Sequence, residues 1–281
     1  MRNISVKKIK QAVSGLCIDA NTNLRKDVFS ALTKAVRAER AGKARRIFEI
    51  LIENARIAKK ERLAICQDTG IVCVYLEIGQ EARLAGGSLE KAVNDGVRLG
   101  YKKGYFRNSI ADPLTRKNTG NNAPAVIHTK IVKGDKVRIT VVPKGFGCEN
   151  KNQIKMFMPT ADLAEIKKFI IDVVKQAGPD ACPPYTIGVG IGGTFEKAAE
   201  LSKEALLRKV TSHKSQVTSQ VAKLEKKLLK EINSLNIGPS GVGGKTTALG
   251  VNILTYPTHI AGLPVAVSIG CHAMRFATKI V

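Results

Sequence analysis

The sequence of 281 residues contains no tryptophan, and aromatic residues make up only 5% of it. Proteins that bind single-stranded nucleic acid stack the bases on aromatic side chains, so this scarcity argues against such a surface. No apolar run reaches the ~18 residues that a membrane-spanning helix needs. The first residues, MRNISVKKI, are not followed by the apolar core of a signal peptide. We therefore expect a cytoplasmic protein without a membrane partner.

The cysteines form no CxxC pair, which argues against the local spacing of zinc fingers and zinc ribbons. A disulfide framework is not expected either, because a chain of this length folds without covalent links and carries no export signal. We expect thiols in a reducing compartment. The six thiols are Cys17, Cys66, Cys73, Cys148, Cys182 and Cys271.

Acidic residues are also scarce, since 23 Asp and Glu stand against 46 Lys and Arg and leave a net charge of +23. This excess indicates an anionic partner, which could be a polyanion, an acidic protein subunit or a small anionic substrate. Four lysines between residues 223 and 230 lie on one side of a predicted helix, opposite an apolar stripe. That pattern is typical of a solvated helix face over a core. Charge alone leaves the three partners open.

Helical periodicity dominates the first 60 residues. The β-branched run at residues 71–78 lies between glycines and predicts a buried strand, and Ser88 is placed to cap a helix over Leu89–Lys103. Two β-rich stretches between residues 125 and 142 flank Lys133-Gly134-Asp135. This arrangement predicts a hairpin.

The second half of the chain alternates predicted helices and strands. The helices are expected at residues 162–176, 194–208 and 214–233, and the strands at residues 185–191, 250–254 and 264–269. The fold class is therefore α/β, with a mixed β-sheet that contains a hairpin, flanking helices and a helical N-terminal layer. No repeat or low-complexity linker divides the sequence, so we expect residues 1–281 to form a single domain.

Two glycine-rich segments imitate nucleotide-binding motifs. Residues 188–193 satisfy GxGxxG between a predicted strand and helix, but helices follow where a second strand ending in an acidic residue is required. The alternative is a glycine turn whose amides approach another anion or a cluster. Residues 238–247 resemble a P-loop, yet Pro239 stands where the motif requires glycine. This loop could still bind a carboxylate through backbone N–H groups.

Three cysteines stand in polar or glycine-rich contexts that packing does not require. Cys66 opens CQDTG, Cys182 opens CPP, and Cys271 lies in GCHAMR. Any one of them alone is more often a small buried apolar residue. Thiolates select soft metals and iron-sulfur clusters, and three converging ligands would leave a 4Fe-4S cluster with one open iron. An open iron is a Lewis acid that can polarise a hydroxyl or a carboxylate.

Ordered blocks along nearly the whole chain resemble the α subunit, equivalent to the N-terminal half, of class I iron-sulfur fumarases and the related L(+)-tartrate dehydratases. The blocks are residues 66–70 (CQDTG), 112–120 (DPLTRKNTG), 122–128 (NAPAVIH), 143–150 (PKGFGCEN), 182–196 (CPPYTIGVGIGGTFE), 238–247 and 258–275.

The resemblance implies a role for eight residues. The ligands of the 4Fe-4S cluster would be Cys66, Cys182 and Cys271. The substrate would be bound by Gln67, Arg107 and the backbone N–H of Gly147, with the guanidinium pairing with a carboxylate. The catalytic residues would be Asp68 and His259. Without the resemblance, these two residues would be interpreted as a turn acid and a core histidine.

One position departs from the family. Family members commonly have serine at the position of Cys148, so this sequence has another thiol close to the expected site. A fourth ligand would close the iron to substrate, and we expect none because the neighbours of Cys148 keep the family pattern. Cys17 and Cys73 are expected to be packing residues.

The reaction that the resemblance implies is the reversible dehydration of (S)-malate to fumarate, with L-tartrate to oxaloacetate as the alternative. The family's proton-abstracting threonine belongs to a C-terminal half or a separate β subunit, so we expect an α2β2 heteromer acting on a small dicarboxylate. A hypothesis of another class is a non-catalytic basic subunit that binds nucleic acid, whose affinity would fall steeply with salt.

Overall fold

The computed structural model describes residues 2–39, 42–210 and 219–281. The chain forms two compact units. Unit 1 comprises Met1–Leu24, Ala55–Phe146 and Arg275–Val281, and unit 2 comprises Arg25–Asn54 and Gly147–Met274. The single domain expected from the sequence stays a prediction. Within the described ranges, no helix is long and apolar enough to cross a membrane.

Unit 1 contains two helices and the strands of two sheets. Its elements are β1 (Arg2–Ser5), α1 (Val6–Thr22), β2 (Ile71–Gly79), β3 (Ala82–Ala85), α4 (Leu89–Lys103), β4 (Val126–Val132), β5 (Val137–Lys144) and β10 (Ala277–Ile280). The four-stranded sheet has the order β10-β5-β2-β4, and β1 pairs with β3 in parallel. The core of this unit joins apolar residues of α1 and α4 to those of β2 and β5.

The predicted hairpin over residues 125–142 is wrong. Both of its strands form, as β4 and β5, but β2 lies between them, parallel to β4 and antiparallel to β5. The connection between β4 and β5 passes the end of β2. Gly79 N–H donates to Lys136 O at 2.8 Å there, and Gln80 N–H donates to Val132 O at 2.8 Å. The central position gives the apolar and largely buried β2 a hydrogen-bonded neighbour on each edge.

Unit 2 is built on a four-stranded sheet with the order β6-β9-β7-β8. Its elements are α2 (Lys26–Ala38), β6 (Gln153–Phe157), α6 (Leu163–Ala177), β7 (Tyr185–Gly192), α7 (Phe195–Leu207), α8 (Ser219–Asn233), β8 (Ala248–Tyr256) and β9 (Leu263–Gly270). β7 is parallel to β8 and antiparallel to β9. Two further helices, α3 (Lys43–Glu61) and α5 (Phe146–Glu149), have residues in both units.

The glycines of the GxGxxG motif serve helix packing. Gly188 and Gly190 lie inside β7, where an added Cβ would come within 2.1 Å of Ser202 O and 2.1 Å of Ala198 O, respectively. Both oxygens belong to α7, so the absence of side chains lets this helix lie directly on the strand. A dinucleotide motif instead needs its glycines in the turn after the strand. The arrangement therefore argues against dinucleotide binding here.

The α/β fold class is confirmed, since both units combine helices with sheets of mixed strand direction. Helices fill most of the first 60 residues as predicted, although residues 2–5 form a strand. The short strands β1, β3, β6 and β10 were not predicted. The predicted helix over residues 214–233 is present from Ser219 onward, and residues 214–218 lie outside the described ranges.

Candidate active site

The segment CQDTG, residues 66–70, forms a turn before β2 in unit 1 and is held by side chains from elsewhere in that unit. The carbonyl of residue 68 accepts from Arg275 Nη2 at 2.6 Å, that of residue 69 from the Tyr101 hydroxyl, and that of residue 70 from Asn122 Nδ2 at 3.1 Å. Arg275 is only 3% exposed and also donates from Nε to Asn21 Oδ1 at 3.2 Å. Three successive carbonyls therefore have side-chain donors, which fixes the path of the turn.

Asp68 uses both carboxylate oxygens inside this unit. Its Oδ1 accepts from Gly70 N–H at 3.0 Å, and its Oδ2 accepts from Phe146 N–H at 2.8 Å. A carboxylate that binds nearby main-chain N–H groups is typical of a turn-forming aspartate. The structure therefore gives Asp68 a part in shaping the turn, and its catalytic role stays a prediction.

Arg107 follows α4 and is exposed, as is Gln67, whereas Cys66 is half-buried. The Arg107 carbonyl accepts from Thr69 Oγ1 at 2.9 Å, so the main chain at Arg107 is joined to the CQDTG turn. Unit 1 thus brings four of the predicted site residues onto two bonded segments. An accessible guanidinium there can pair with a carboxylate in two parallel hydrogen bonds.

In unit 2, the loops that carry Cys182 and Cys271 are bonded to each other. The Cys182 carbonyl accepts from His272 N–H at 3.2 Å and lies 3.2 Å from His272 Nδ1. Cys182 has a φ of 55°, and Cys182 N–H donates to Pro179 O at 3.1 Å. These contacts place two of the predicted ligands on adjoining loops, with Cys182 exposed and Cys271 half-buried.

The loop that resembles a P-loop supports the Cys182 loop. Ser240 N–H donates to Pro183 O at 2.9 Å. Two other amides of this loop are used inside unit 2, because Gly244 N–H donates to Asn236 Oδ1 at 3.1 Å and Lys245 N–H donates to Glu39 Oε1 at 2.7 Å. The loop therefore has a structural role, and these two amides are not available to an anion.

A third thiol of unit 2 lies near the same loops. Burial raises the pKa of the Tyr185 hydroxyl, and Cys148 and Cys182 raise it further, followed by Asp180 and Cys271. The three cysteines of this unit therefore neighbour one phenol. Next to Cys148, Gly147 is exposed, and a Cβ added to it would be 3.7 Å from Asp180 O.

His259 lies on the exposed loop after β8. Its Nδ1 accepts from Ala261 N–H at 3.1 Å, so the ring is oriented by its own loop. Within the described ranges, no hydrogen bond joins His259 to the cysteine loops of unit 2. The predicted catalytic role of this residue stays a prediction.

Accessibility separates the six cysteines, all of which lie in the described ranges and outside disulfides. Cys17, Cys73 and Cys148 are buried, and burial raises the pKa of the Cys17 thiol. The three predicted ligands, Cys66, Cys182 and Cys271, keep surface open to solvent. Soft sulfur donors that iron can reach fit an iron-sulfur cluster. No three His, Cys, Asp or Glu side chains among the described residues are already arranged around a metal position.

The family model described as Fumarate hydratase (Fumerase) matches residues 10–279. The chain belongs to the fumarate hydratase family. It is 37% identical to the "Putative L(+)-tartrate dehydratase subunit alpha" of Methanocaldococcus jannaschii, with 97% of each chain covered. It is 30% identical to the "L(+)-tartrate dehydratase subunit alpha" of Escherichia coli (strain K12), over 99% of this chain and 92% of that one. The chain is therefore of the hydro-lyase type.

The side chains that hold the CQDTG turn in this fumarate hydratase family member were missed by sequence reasoning. Asn122 begins one block that carries the family resemblance and Arg275 ends another, but nothing in either block shows which turn they reach. Tyr101 lies in α4 and has the appearance of an ordinary core residue. Their hydrogen bonds to this turn span 32 to 207 residues of sequence, so local patterns could not reveal them.

Proposed function

We propose that this chain is the α subunit of an iron-sulfur hydro-lyase that reversibly dehydrates (S)-malate to fumarate. The observation that carries the proposal is the accessibility of the thiols, because the three open cysteines are those that open or lie within the family-like segments CQDTG, CPP and GCHAMR. Membership of a hydro-lyase family supports the reaction class.

Cys66, Cys182 and Cys271 would hold a 4Fe-4S cluster. When bound, the cluster supplies a Lewis-acidic iron that polarises the substrate hydroxyl. A reducing compartment would keep these thiols available, which agrees with a protein of the cytoplasm.

The chain's own residues would bind and orient the dicarboxylate. Arg107 would hold one carboxylate through its guanidinium, and Gln67 and the N–H of Gly147 would donate further hydrogen bonds. Asp68 would keep the CQDTG turn in shape through its two main-chain bonds. His259 would hold or transfer a proton of the departing hydroxyl.

A β subunit would complete the enzyme by removing the proton from carbon. The names of both relatives, which specify an alpha subunit, support a partner chain. We propose an α2β2 heteromer on this basis. The positive charge of this chain would then serve both an acidic partner surface and the attraction of an anionic substrate.

L-tartrate is the second candidate substrate, and the names of the two relatives favour it. Its dehydration to oxaloacetate needs the same activation of a hydroxyl. The two substrates differ by one hydroxyl group, and a site that hydrogen-bonds this group would discriminate strongly between them.

The test is anaerobic co-expression with the candidate β subunit, followed by iron and sulfide determination and by assays with malate, fumarate and L-tartrate. We expect about four irons per α chain and turnover of malate and fumarate. Faster turnover of L-tartrate would assign the second substrate instead.

Cysteine variants test the ligands. Cys66→Ala, Cys182→Ala and Cys271→Ala should each lose the cluster absorbance and the activity. Cys17→Ala is the control, because this buried thiol lies in α1 and has no proposed role. Full iron content in any of the first three variants would disprove the ligand assignment. A complex without iron that binds DNA with a steep salt dependence would favour a non-catalytic basic subunit.

A further inference from the structure

Cys148 is a buried thiol that the proposed function leaves unused. It is 6% exposed, and its Sγ–H donates to Ala181 O at 3.5 Å. Ala181 directly precedes Cys182. Because the oxygen and nitrogen of one amide are about 2.3 Å apart, Cys148 Sγ lies within about 6 Å of the Cys182 nitrogen. The two thiols therefore stand on touching segments.

These two segments are also anchored to each other by charge. Lys151 Nζ forms an ion pair with Asp180 Oδ2 at 3.0 Å, and Lys151 N–H donates to Cys148 O at 3.0 Å. The ion pair therefore joins the same two segments as the thiol contact. The approach of Cys148 to the Cys182 loop is thus fixed at two points, within unit 2 alone.

The two thiols differ in their access to solvent. Cys182 is exposed, whereas Cys148 is buried. A dissolved oxidant therefore reaches Cys182 first. Redox-sensitive cysteines are solvent-accessible and often stand next to a second cysteine, whose thiol resolves the oxidised first one.

We propose that Cys148 is the resolving thiol of Cys182 and forms a disulfide with it when Cys182 is not bound to the cluster. The oxidant is a peroxide. The Cys182 thiolate attacks one peroxide oxygen, the O–O bond breaks, and the displaced hydroxide takes a proton to become water. Cys182 is then a sulfenic acid. Cys148 sulfur attacks the Cys182 sulfur, and the sulfenic hydroxyl leaves with the Cys148 proton as a second water. Two thiols lose two electrons, and the peroxide gains them.

Cys271 is the competing partner, since His272 N–H donates to the Cys182 carbonyl. The two contacts differ in kind. Cys148 contacts the Cys182 loop with its sulfur atom, whereas the Cys271 loop contacts it through the N–H and the ring nitrogen of the following residue, His272. The sulfur-mediated contact favours Cys148 as the disulfide partner.

The consequence is protection of a cluster ligand, and this part of the inference rests on the proposed function. A sulfenic acid that is not resolved proceeds to sulfinic acid, which thiols do not reduce. The Cys148–Cys182 disulfide stops oxidation at a reducible stage. Cys182 is then available again after reduction.

The experiment uses the full chain without cluster or partner, reduced, freed of reductant and treated with hydrogen peroxide. The remaining thiols are blocked, and the protein is digested without reductant for peptide mass spectrometry. We expect a peptide pair linked through Cys148 and Cys182. In Cys148→Ser this pair should disappear and Cys182 should be found as sulfinic or sulfonic acid. Circular dichroism checks that the variant is folded.

Cys73→Ser is the matched control, because Cys73 is also 6% exposed but lies in β2 of unit 1. It should keep the linked pair. A wild-type link of Cys182 to Cys271 or Cys66, or sulfinic acid at Cys182 with no disulfide, would overturn the proposal. Neither result would affect the hydro-lyase proposal, and failure of the chain to bind iron in co-expression would leave the disulfide result unchanged.

Discussion

The CQDTG turn of unit 1 and the Cys182 loop of unit 2 hold their predicted cluster ligands by different means. Buried side chains supply the donors in unit 1, from Arg275, Tyr101 and Asn122. In the Cys182 loop, the carbonyls of residues 182 and 183 accept from main-chain N–H groups of two other loops, the preceding carbonyl accepts from the Cys148 thiol, and the strand that follows is packed through glycines. The first arrangement depends on which side chains are present, and the second depends more on the shape of the backbone. Substitutions in the two regions should therefore fail in different ways.

The largest effect is expected from Gly190→Ala in β7. The new Cβ would lie 2.1 Å from Ala198 O and 2.7 Å from Ser202 N, both in the main chain of α7. Since main-chain atoms cannot move aside as a flexible side chain does, α7 must shift from the strand. We expect a loss of about 3 kcal/mol in the free energy of unfolding, measured by urea denaturation.

Gly15→Ala in α1 is the control for this prediction. An added Cβ there meets no atom within 4 Å, and alanine favours the helix. We expect unchanged stability or a gain of about 1 kcal/mol. If both variants were as stable as the wild type, the dependence of unit 2 on backbone shape would be disproved.

The next effect is expected from Arg275→Met, which keeps an unbranched apolar stem but removes the hydrogen-bond donors of the guanidinium. The carbonyl of Asp68 and the Oδ1 of Asn21 lose their hydrogen bonds in a buried place. A buried group without a partner costs about 1 to 3 kcal/mol, so we expect a loss of about 2 kcal/mol in the free energy of unfolding. Hydrogen exchange of the amides in residues 66–70 should become faster.

The control is Arg138→Met, because Arg138 pairs with Glu77 at 3.0 Å with both side chains nearly half exposed. Exposed ion pairs contribute little, so its stability should stay within about 0.5 kcal/mol of the wild type. Unchanged exchange in residues 66–70 of the Arg275 variant would show that side chains do not hold the turn.

The sequence predicted the local elements of both units well, because local interactions determine them. Ser88 was expected to cap α4, and its Oγ accepts from Lys91 N–H at 3.3 Å. The order of the strands was not predictable, since a turn signal between β4 and β5 carries no information about a third strand that enters between them.

The same division applies to the candidate site. The three open cysteines could be chosen from their sequence contexts, and the structure agrees that they are the accessible ones. Arg275 could not be linked to Asp68, because the two residues are 207 positions apart and the contact exists only after folding. The second carboxylate bond of Asp68, to Phe146 N–H, spans 78 positions and was equally hidden.

The smallest effect is expected at Asp27, a carboxylate that joins two segments of unit 2. Its carboxylate accepts from Arg25 Nη2 at 2.6 Å and from Val210 N–H at 2.9 Å. Burial alone would raise the pKa of Asp27, but the hydrogen bond and charge of Arg25 and the Val210 N–H lower it below its usual value. We expect Asp27→Asn to lose about 1 kcal/mol of unfolding free energy at pH 7.

The pH dependence gives the sign of this contribution. Because the folded pKa is lower than the unfolded value of about 3.9, the stabilisation is complete above that pH and is lost as the pH falls through the folded pKa. The difference in unfolding free energy between the wild type and Asp27→Asn, measured by urea denaturation, should therefore become smaller below about pH 4.

Asp95→Asn serves as the comparison, since Asp95 pairs at 3.0 Å with Lys91, whose side chain is 74% exposed. In about 1 M salt the screening length is about 3 Å. There the loss of unfolding free energy caused by Asp95→Asn should vanish, while the loss caused by Asp27→Asn should persist. Equal salt sensitivity of the two variants would mean that Asp27 acts as a surface charge and does not anchor its part of unit 2 as the buried side chains of unit 1 anchor the CQDTG turn.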